Sequence, residues 1–416
     1  MLYLIYVFFI YLKYKFRIID FETFVKSSID FLSKKNIIFV KLCQWLSFEL
    51  CNDKEVAQRL VNYMENFCNH CPYQDSDLDY VSYYDVKDQL NLEENPRFTG
   101  SIAVCYIGEY EGKKIICKIL RKTIKDQMKE FQLFINQIWS ILDKLQYYNF
   151  IAFYENKKLV NDLKNLIIDG YDRQCDFILE INNNKEYQET YGKYDNIKIP
   201  YVWESFTEQN KNIIVMEYFE SYKTLKDLTI EEKTIFKKIF VEHVISSFTF
   251  EYVMHSDLHQ GNVIFMKEDD NLKMGIIDFG FITKFHSLED KNQCYSIFGC
   301  LIENIDYEKG QYIIYSILKF LDQDQKEFGI SDSQLSELKE YYENNKPTYL
   351  ENFIELQNFF LHALKKGIKI PVFVSNVFLI VPAMLAVGQK LSTDEYNKNS
   401  VLVELRNKIT EFYNNY

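Results

Sequence analysis

The sequence predicts an α+β protein with two lobes, a small lobe built on an antiparallel sheet and a larger helical lobe, preceded by an N-terminal helical extension. Two strand-like runs, Ile102–Ile107 and Lys114–Leu120, flank a turn at Glu111-Gly112 and indicate a β-hairpin. Apolar residues recur at helical spacing before this hairpin and through most of the chain after it. With 416 residues, of which 47% are hydrophobic, the chain can bury a core in two to three domains.

The N-terminal extension (residues 1–75) begins with an apolar run from Leu2 to Leu12, which is followed by Lys13, Lys15 and Arg17. This run is shorter than the ~20 residues that a helix needs to span a bilayer. One expectation is an interfacial anchor that associates the protein with a membrane, and the other is a buried helix or strand. From Asp20 to Val61 the apolar positions again follow helical spacing.

The composition narrows the classes of function. With 60 acidic and 48 basic residues the net charge is −12, and no basic surface for a nucleic acid stands out, so we expect no nucleic-acid partner. The nine cysteines are scattered and form no short-range disulfide framework, which favours an intracellular, reducing compartment. Cys68-Asn-His-Cys71 has the spacing of half a zinc site, but the sequence contains no second such pair.

In the small lobe (residues 76–218), Lys118 lies in the second strand of the hairpin with apolar neighbours Ile116 and Ile119. An ammonium group buried without a partner is costly, so Lys118 is expected to meet a carboxylate or a phosphate. Thr99-Gly100-Ser101 precedes the first strand, where a loop over the phosphates of a nucleotide would lie.

Glu180 is the candidate carboxylate partner of Lys118. It falls in a helical pattern over Leu163–Tyr191, in which Asn182–Asn184 are expected to form a polar helix face or a frayed end. A later strand over Ile213–Tyr218 leads into the connector between the lobes, where backbone groups around Glu217 would contact an adenine ring.

In the large lobe (residues 219–416), the segment from residue 255 to residue 280 carries the chemistry. Asp257 stands five residues before Asn262, and Asp278 follows an apolar strand and leads into Phe279-Gly280. Phosphoryl transfer needs a carboxylate to orient a hydroxyl group or water, and oxygen ligands to hold Mg2+ over the phosphates. Asp257 suits the first task, and Asn262 with Asp278 suits the second.

The order of these groups resembles the protein-kinase-like superfold, and finer details resemble its atypical UbiB/aarF-like branch, which is linked to ubiquinone biosynthesis. The resemblance extends from about Phe39 to Asn304, with a weaker likeness at 370–392. Four blocks carry it, namely VKLCQWLS (40–47, like the KxGQ signature), TGSIA (99–103, like the alanine-rich nucleotide loop), DFILEINNN (176–184, like the helix with the lysine-pairing glutamate) and HSDLHQGN (255–262, like the catalytic loop).

The chain also departs from the family pattern. Cys43 stands where the KxGQ signature has glycine, and Gln174 stands where the ExD motif has its glutamate before Asp176. Thr99 and Gly100 replace alanines of the nucleotide loop. The family uses the extension and the ExD motif to restrict the site against protein phosphorylation, so these changes bear on that restriction.

The resemblance implies a bilobal protein-kinase-like fold and an ATP- and Mg2+-dependent kinase or ATPase, set in quinone or lipid metabolism at a membrane surface. Lys118, held by Glu180, would orient the α and β phosphates, and Asp257 would position the nucleophile. The other implied contacts are metal ligation by Asn262 and Asp278 and nucleotide contacts from Gly100, Ser101, Glu217, Lys41 and Gln44.

The phosphoryl acceptor implied is a protein, a small molecule, a lipid or water.

Two other functions agree with parts of the sequence. A small-molecule kinase of the aminoglycoside or choline type would share the blocks around Asp257 and Asp278, but not the extension. A nucleotide-binding scaffold with little catalysis is favoured by the changes at Cys43 and Gln174.

Overall fold

A computed structural model describes residues 2–39, 59, 63, 71–147, 172–220, 222–225, 227–249, 251–268, 271–285, 331–344, 387–388 and 390–391. The chain divides into two compact units. Unit 1 comprises Met1–Leu179 and Tyr201–Tyr218, and unit 2 comprises Glu180–Pro200 and Phe219–Tyr416. The assignment of domains to 1–75, 76–218 and 219–416 stays a prediction.

Both helices and strands occur in the described residues, as the α+β prediction requires. The helices there are α1 (Leu2–Lys15), α2 (Phe21–Lys35), α3 (Tyr80–Val86), α4 (Ile124–Tyr147), α5 (Phe177–Tyr191), α6 (Glu204–Gln209), α7 (Ile230–Thr249) and α8 (Asp332–Asn344). The strands there are β1 (Phe98–Thr99), β2 (Ala103–Tyr110), β3 (Lys113–Leu120), β4 (Ile197–Lys198), β5 (Ile213–Glu217), β6 (Tyr222–Lys223), β7 (Val253–His255), β8 (Val263–Glu268), β9 (Asn271–Ile276) and β10 (Ile282–Lys284).

Unit 1 contains a four-stranded antiparallel sheet in the order β1-β2-β3-β5. The predicted hairpin forms β2 and β3, and its two turn residues, Glu111 and Gly112, have φ angles of 52° and 72°. Two left-handed residues in a two-residue loop match the right-handed twist of the flanking strands. The hairpin therefore continues up to the turn itself, and Tyr110 pairs with Lys113.

One face of this sheet carries the core of unit 1. Side chains alternate between the two faces of a strand, so Ile115, Cys117 and Ile119 of β3 share a face, and all three are completely buried. The residues packed with them come from β2, β5, α3, α6 and the segment around Leu90, and they include Val104, Tyr106, Ile213, Val215, Val86, Phe206, Leu90 and Leu92. Lys118 therefore lies on the opposite face of the sheet.

The N-terminal apolar run forms α1, which packs against α2. Tyr6 stacks on Phe31 with ring centroids 3.7 Å apart, and Tyr14 stacks on Phe24 at 5.5 Å. Among the helices of the described residues, none is long and apolar enough to cross a membrane. The predicted membrane association through Leu2–Leu12 was therefore wrong, because this run lies within a 14-residue helix, Leu2–Lys15, that packs on α2.

Helix α2 begins where the sequence places it. Asp20 is its N-cap, and its carboxylate accepts a hydrogen bond of 2.7 Å from the Thr23 N–H. The helix ends at Lys35, ahead of the cap residue Asn36. Most of the helical pattern predicted beyond it, up to Val61, lies outside the described residues.

Unit 2 contains a four-stranded sheet in the order β4-β9-β8-β6 and a two-stranded sheet of β7 with β10. The hairpin β8–β9 pairs Val263 with Ile276, so the residues just before β8 and just after β9 are adjacent. Helix α7 ends at Thr249, and β7 begins at Val253. These strands hold the loops that carry the predicted catalytic residues.

Candidate functional site

Lys118 sits in the middle of the unit 1 sheet. Its cross-strand neighbours are Cys105 on β2 and Ile214 on β5. The Lys118 Nζ lies 5.3 Å from the centroid of the Phe177 ring at the start of α5, a distance at which a cation is attracted to a ring face. The side chain is only partly exposed. Lys118 thus presents its ammonium group on the face of the sheet away from the core of unit 1.

The predicted nucleotide loop joins β1 to β2, and we call residues 99–102 the 99–102 loop. The Gly100 N–H donates to the Ala103 carbonyl at 2.9 Å, which closes the loop on itself. Thr99 is buried, and its hydroxyl donates to the Cys71 carbonyl at 2.9 Å. Gly100 and Ser101 are partly exposed. The loop is therefore anchored on one side and reachable by solvent on the other.

Glu217 is the last residue of β5. Its N–H donates to the Tyr201 carbonyl at 2.8 Å, and the next N–H, of Tyr218, donates to the Lys114 carbonyl at 3.2 Å. These two N–H groups are used within unit 1. The adenine contact assigned to this segment stays a prediction.

In unit 2, His255 joins the loop of Asp257 to the loop of Asp278. Its Nδ1 accepts a hydrogen bond from the Asp257 N–H at 3.2 Å, and its Nε2 donates to the Asp278 carbonyl at 2.8 Å. Burial lowers the pKa of His255, although the neighbouring Asp257 and Asp278 act in the opposite direction. The neutral ring with its proton on Nε2 fits both bonds.

Asn262 is buried and holds the other end of the same loop. Its side-chain NH2 donates to the Asp257 carbonyl at 2.9 Å, and its backbone carbonyl accepts from the Ile277 N–H at 3.0 Å. Because the NH2 group is used in this way, the amide oxygen is the atom that can serve as a metal ligand.

Asp278 is exposed and has a left-handed backbone with φ of 64°. A residue other than glycine in this region carries strain of about 1–3 kcal/mol, which persists only where the surroundings enforce it. Here the His255 ring holds the Asp278 carbonyl, while Phe279 is buried next to it against Tyr187, with ring centroids 5.0 Å apart. The Asp278 carboxylate accepts a hydrogen bond of 3.3 Å from the Gly280 N–H.

Helix α5 carries three residues that the sequence singles out. The Asp176 carboxylate caps the helix by accepting from the Ile178 and Leu179 N–H groups, each at 3.1 Å. Glu180 is buried, with 3% of its surface exposed. Its pairing with Lys118 stays a prediction.

The interpretation of Asn182–Asn184 as a polar face or frayed end holds only for Asn182, which is exposed. Asn183 is buried and donates to the Phe279 carbonyl at 2.9 Å, and buried Asn184 donates to the Pro200 carbonyl at 3.3 Å. Asn183 therefore helps to hold the segment that follows Asp278, a role that sequence reasoning missed.

The predicted metal ligands Asn262 and Asp278 lie on two loops of unit 2 that the His255 ring connects. Among the described residues, no group of three or more His, Cys, Asp or Glu side chains is arranged to hold a metal. Mg2+ is commonly held by one or two carboxylates together with substrate phosphates and waters. Asp278 and the Asn262 amide oxygen fit that kind of coordination, and they do not fit a closed site made by protein alone.

The comparison with protein families decides the assignment. Residues 89–310, just over half of the chain, match the model of the ABC1 atypical kinase-like domain. The chain belongs to this family. The matched region contains every predicted site residue except Lys41 and Gln44, and it confirms the resemblance to UbiB/aarF-like proteins.

Solved structures are also similar to this ABC1-family chain. The complex of Rv3197 with erythromycin from Mycobacterium tuberculosis has 17% identity and a TM-score of 0.46, covering 76% of this chain and 80% of that one. The Rio2 kinase-ADP/Mg2+-phosphoaspartate complex from Chaetomium thermophilum has 11% identity and a TM-score of 0.32, covering 83% and 95%. No curated protein matches the sequence.

Several predicted features of this ABC1-family chain lie outside the described residues. They include Lys41, Cys43 and Gln44 of the KxGQ-like block, as well as Cys68 of the half zinc site. Cys71 is described and buried, and its N–H donates to the Thr99 carbonyl at 2.7 Å.

Proposed function

We propose that this ABC1-family protein binds ATP with Mg2+ and acts as an atypical kinase or ATPase of the UbiB-like branch. The observation that carries the proposal is the His255 ring, which ties the backbone of Asp257 to that of Asp278 while Asn262 holds the Asp257 carbonyl. Three groups with the chemistry of a phosphoryl-transfer site are thereby fixed in one framework.

In the proposed reaction the chain's own residues position the nucleotide and the nucleophile. Asn262 and Asp278 would hold Mg2+, which neutralises phosphate charge when bound. Asp257 would orient the attacking hydroxyl or water, and it is partly exposed, as that role requires. Lys118, paired with Glu180, would contact the α and β phosphates.

The remaining parts of the proposal come from the family resemblance. Gly100, Ser101 and Glu217 would contact the nucleotide, and Lys41 and Gln44 would reach the site from the extension. The acceptor is a protein, a small molecule, a lipid or water. Quinone or lipid metabolism is the setting that the family suggests.

Calorimetric titration with ATP and ADP, with and without Mg2+, tests the proposal together with an assay of phosphate release. Asp278→Asn should weaken Mg2+-dependent binding at least about tenfold, because a metal ligand loses its charge. Asp257→Asn should keep binding but lower turnover about 10²–10⁴-fold. Asp195→Asn is the matched control, since it removes one exposed carboxylate elsewhere in unit 2. Failure of the unaltered protein to bind nucleotide with Mg2+ would overturn the proposal.

A nucleotide-binding scaffold is the second candidate. Gln174 takes the place of the ExD glutamate, and the Asp176 carboxylate is engaged as the cap of α5. Mg2+-dependent binding by the unaltered protein with no phosphate release would favour the scaffold over the enzyme.

A further inference from the structure

Arg121 is a buried cation three residues beyond Lys118, and its guanidinium group holds the 99–102 loop. Its side chain has no exposed surface. Both Nε and Nη2 donate to the Gly100 carbonyl, at 3.0 and 2.8 Å, while Nη1 donates to the Pro72 carbonyl at 3.0 Å. The Arg121 N–H also donates to the Ile102 carbonyl at 2.9 Å. Arg121 is thus hydrogen-bonded to the loop at two carbonyl groups, those of Gly100 and Ile102.

Asp77 supplies the charge that makes this burial possible. Its Oδ2 lies 3.2 Å from Arg121 Nη1 and accepts from the Gln74 N–H at 3.0 Å. Its Oδ1 accepts from the Thr123 hydroxyl and from Gln127 Nε2, the latter at 3.1 Å. A buried charge is tolerated only when it is paired and hydrogen-bonded, and both partners meet that condition here.

The same network reaches the N-terminal extension. Gln127 Oε1 accepts from the Ile37 N–H at 2.8 Å, and the Gln127 carbonyl accepts from the Asn36 side chain at 2.7 Å. Cys71 exchanges backbone and side-chain hydrogen bonds with Thr99. Segment 71–77 is therefore hydrogen-bonded to the 99–102 loop directly, through Cys71 and Thr99. Segment 36–37 is connected to the same loop indirectly, through Gln127, Asp77 and Arg121.

The consequence for a ligand follows from the planarity of the peptide bond. In a trans peptide the carbonyl and the following N–H point in opposite directions. Because the guanidinium group fixes the Gly100 carbonyl, it also directs the N–H of Ser101 away from Arg121. Ser101 is partly exposed. Backbone N–H groups of a glycine-containing loop are good donors to phosphate oxygens.

We infer that Arg121 is a positioning residue that aims the Ser101 N–H at the nucleotide phosphates, and that Asp77 transmits the state of the extension to this loop. The inference rests on the proposed function, because the nucleotide is the ligand it assumes. It adds a means of controlling nucleotide binding, because a displacement of segment 71–77 would be passed through Asp77 and Arg121 to the backbone of the 99–102 loop.

Amide hydrogen exchange over residues 99–103 tests the inference without nucleotide, and titration with Mg2+ and ADP tests it with nucleotide. Arg121→Lys keeps the charge but loses the planar fork, so exchange in the loop should rise at least about tenfold. The Kd for ADP should rise by about the same factor, and KM for ATP should change more than kcat. Thr123→Val removes one bond to Asp77 and is the milder variant, for which we expect changes in the same direction of about two- to fivefold.

Phe206→Leu is the control, because Phe206 packs in the core on the other face of the sheet. It should lower the melting temperature while leaving loop exchange and Kd within about twofold of the unaltered protein. Folded Arg121→Lys or Thr123→Val protein with unchanged loop exchange would overturn the inference. Faster exchange with unchanged Kd would show that the loop's position does not matter to the ligand, and would overturn it as well. Failure of the unaltered protein to bind ADP would instead refute the proposed function, and exchange alone would still decide whether Arg121 holds the loop.

Discussion

At the scale of single residues, Gly100 stands where the family's nucleotide loop has alanine, and the geometry of the loop does not require a glycine there. A Cβ atom built on Gly100 would lie 3.4 Å from the Ala103 carbonyl oxygen, which is ordinary contact, and the backbone there is not left-handed. The glycine therefore adds freedom to the 99–102 loop and is not demanded by its geometry.

Gly100→Ala should accordingly fold and gain about 0.4–1 kcal/mol of stability, because alanine reduces the conformational entropy of the unfolded chain. Gly108→Ala is the contrasting variant. Its Cβ would lie 2.3 Å from the Leu90 carbonyl oxygen, so a backbone shift is required and a loss of about 1–3 kcal/mol is expected. Urea unfolding of both variants checks the pair, and a loss of stability in Gly100→Ala would contradict this view of the loop.

The residues discussed above differ in how easily they can be predicted from the sequence. The sequence singles out Asp257, Asn262 and Asp278 as proposed site residues because one short segment contains all three at a fixed spacing. Arg121 was not, because its burial depends on Asp77, which lies 44 residues earlier in the chain. An arginine followed by lysine just after a strand has the local pattern of a solvated turn.

At the scale of elements, the long and strongly patterned ones were predictable and the short ones were not. The β2–β3 hairpin carries a turn signal, and helix α2 carries clear helical periodicity. Strands β7 and β10 have three residues each, which is too short for a two-residue period to be recognised. They form because they pair with each other next to the loops that carry Asp257 and Asp278.

Helix α5 has a buried face that includes Asn183 and an exposed face that includes Asn182, and substitutions on the two faces should differ in their effect on stability. Asn183→Ala should cost about 1–3 kcal/mol, because the Phe279 carbonyl loses the donor that it has in the buried site. Asn182→Ala, one position away and exposed, should change stability by no more than about 0.5 kcal/mol. Chemical denaturation of the two variants measures the difference. Equal effects would show that the bond from Asn183 to Phe279 is not important.

At the scale of the whole molecule, the histidines buried in unit 2 should make stability depend on pH. Burial, with a smaller contribution from neighbouring His255, lowers the pKa of His243 to about 3. The groups that face its ring are Tyr187, Tyr191 and His255, and the Tyr187 hydroxyl lies 2.7 Å from His243 Nε2. Burial also raises the pKa values of both tyrosines, so neither supplies a negative charge that would stabilise a protonated His243.

The sign of the effect follows from proton binding in the two states. Below the ordinary histidine pKa of about 6.5 the unfolded chain binds a proton that folded His243 does not, so the free energy of unfolding should fall as the pH decreases. The slope from one such group approaches about 1.4 kcal/mol per pH unit well below pH 6.5, which gives a loss of about 2.3 kcal/mol between pH 6.5 and 4.5. His255, whose pKa is also lowered, acts in the same direction.

His243→Gln keeps a polar partner for Tyr187 but cannot titrate, so its free energy of unfolding should depend less steeply on pH by about that amount. Urea unfolding of both proteins at a series of pH values measures the two slopes, and equal slopes would mean that His243 is protonated as readily in the folded protein as in the unfolded chain.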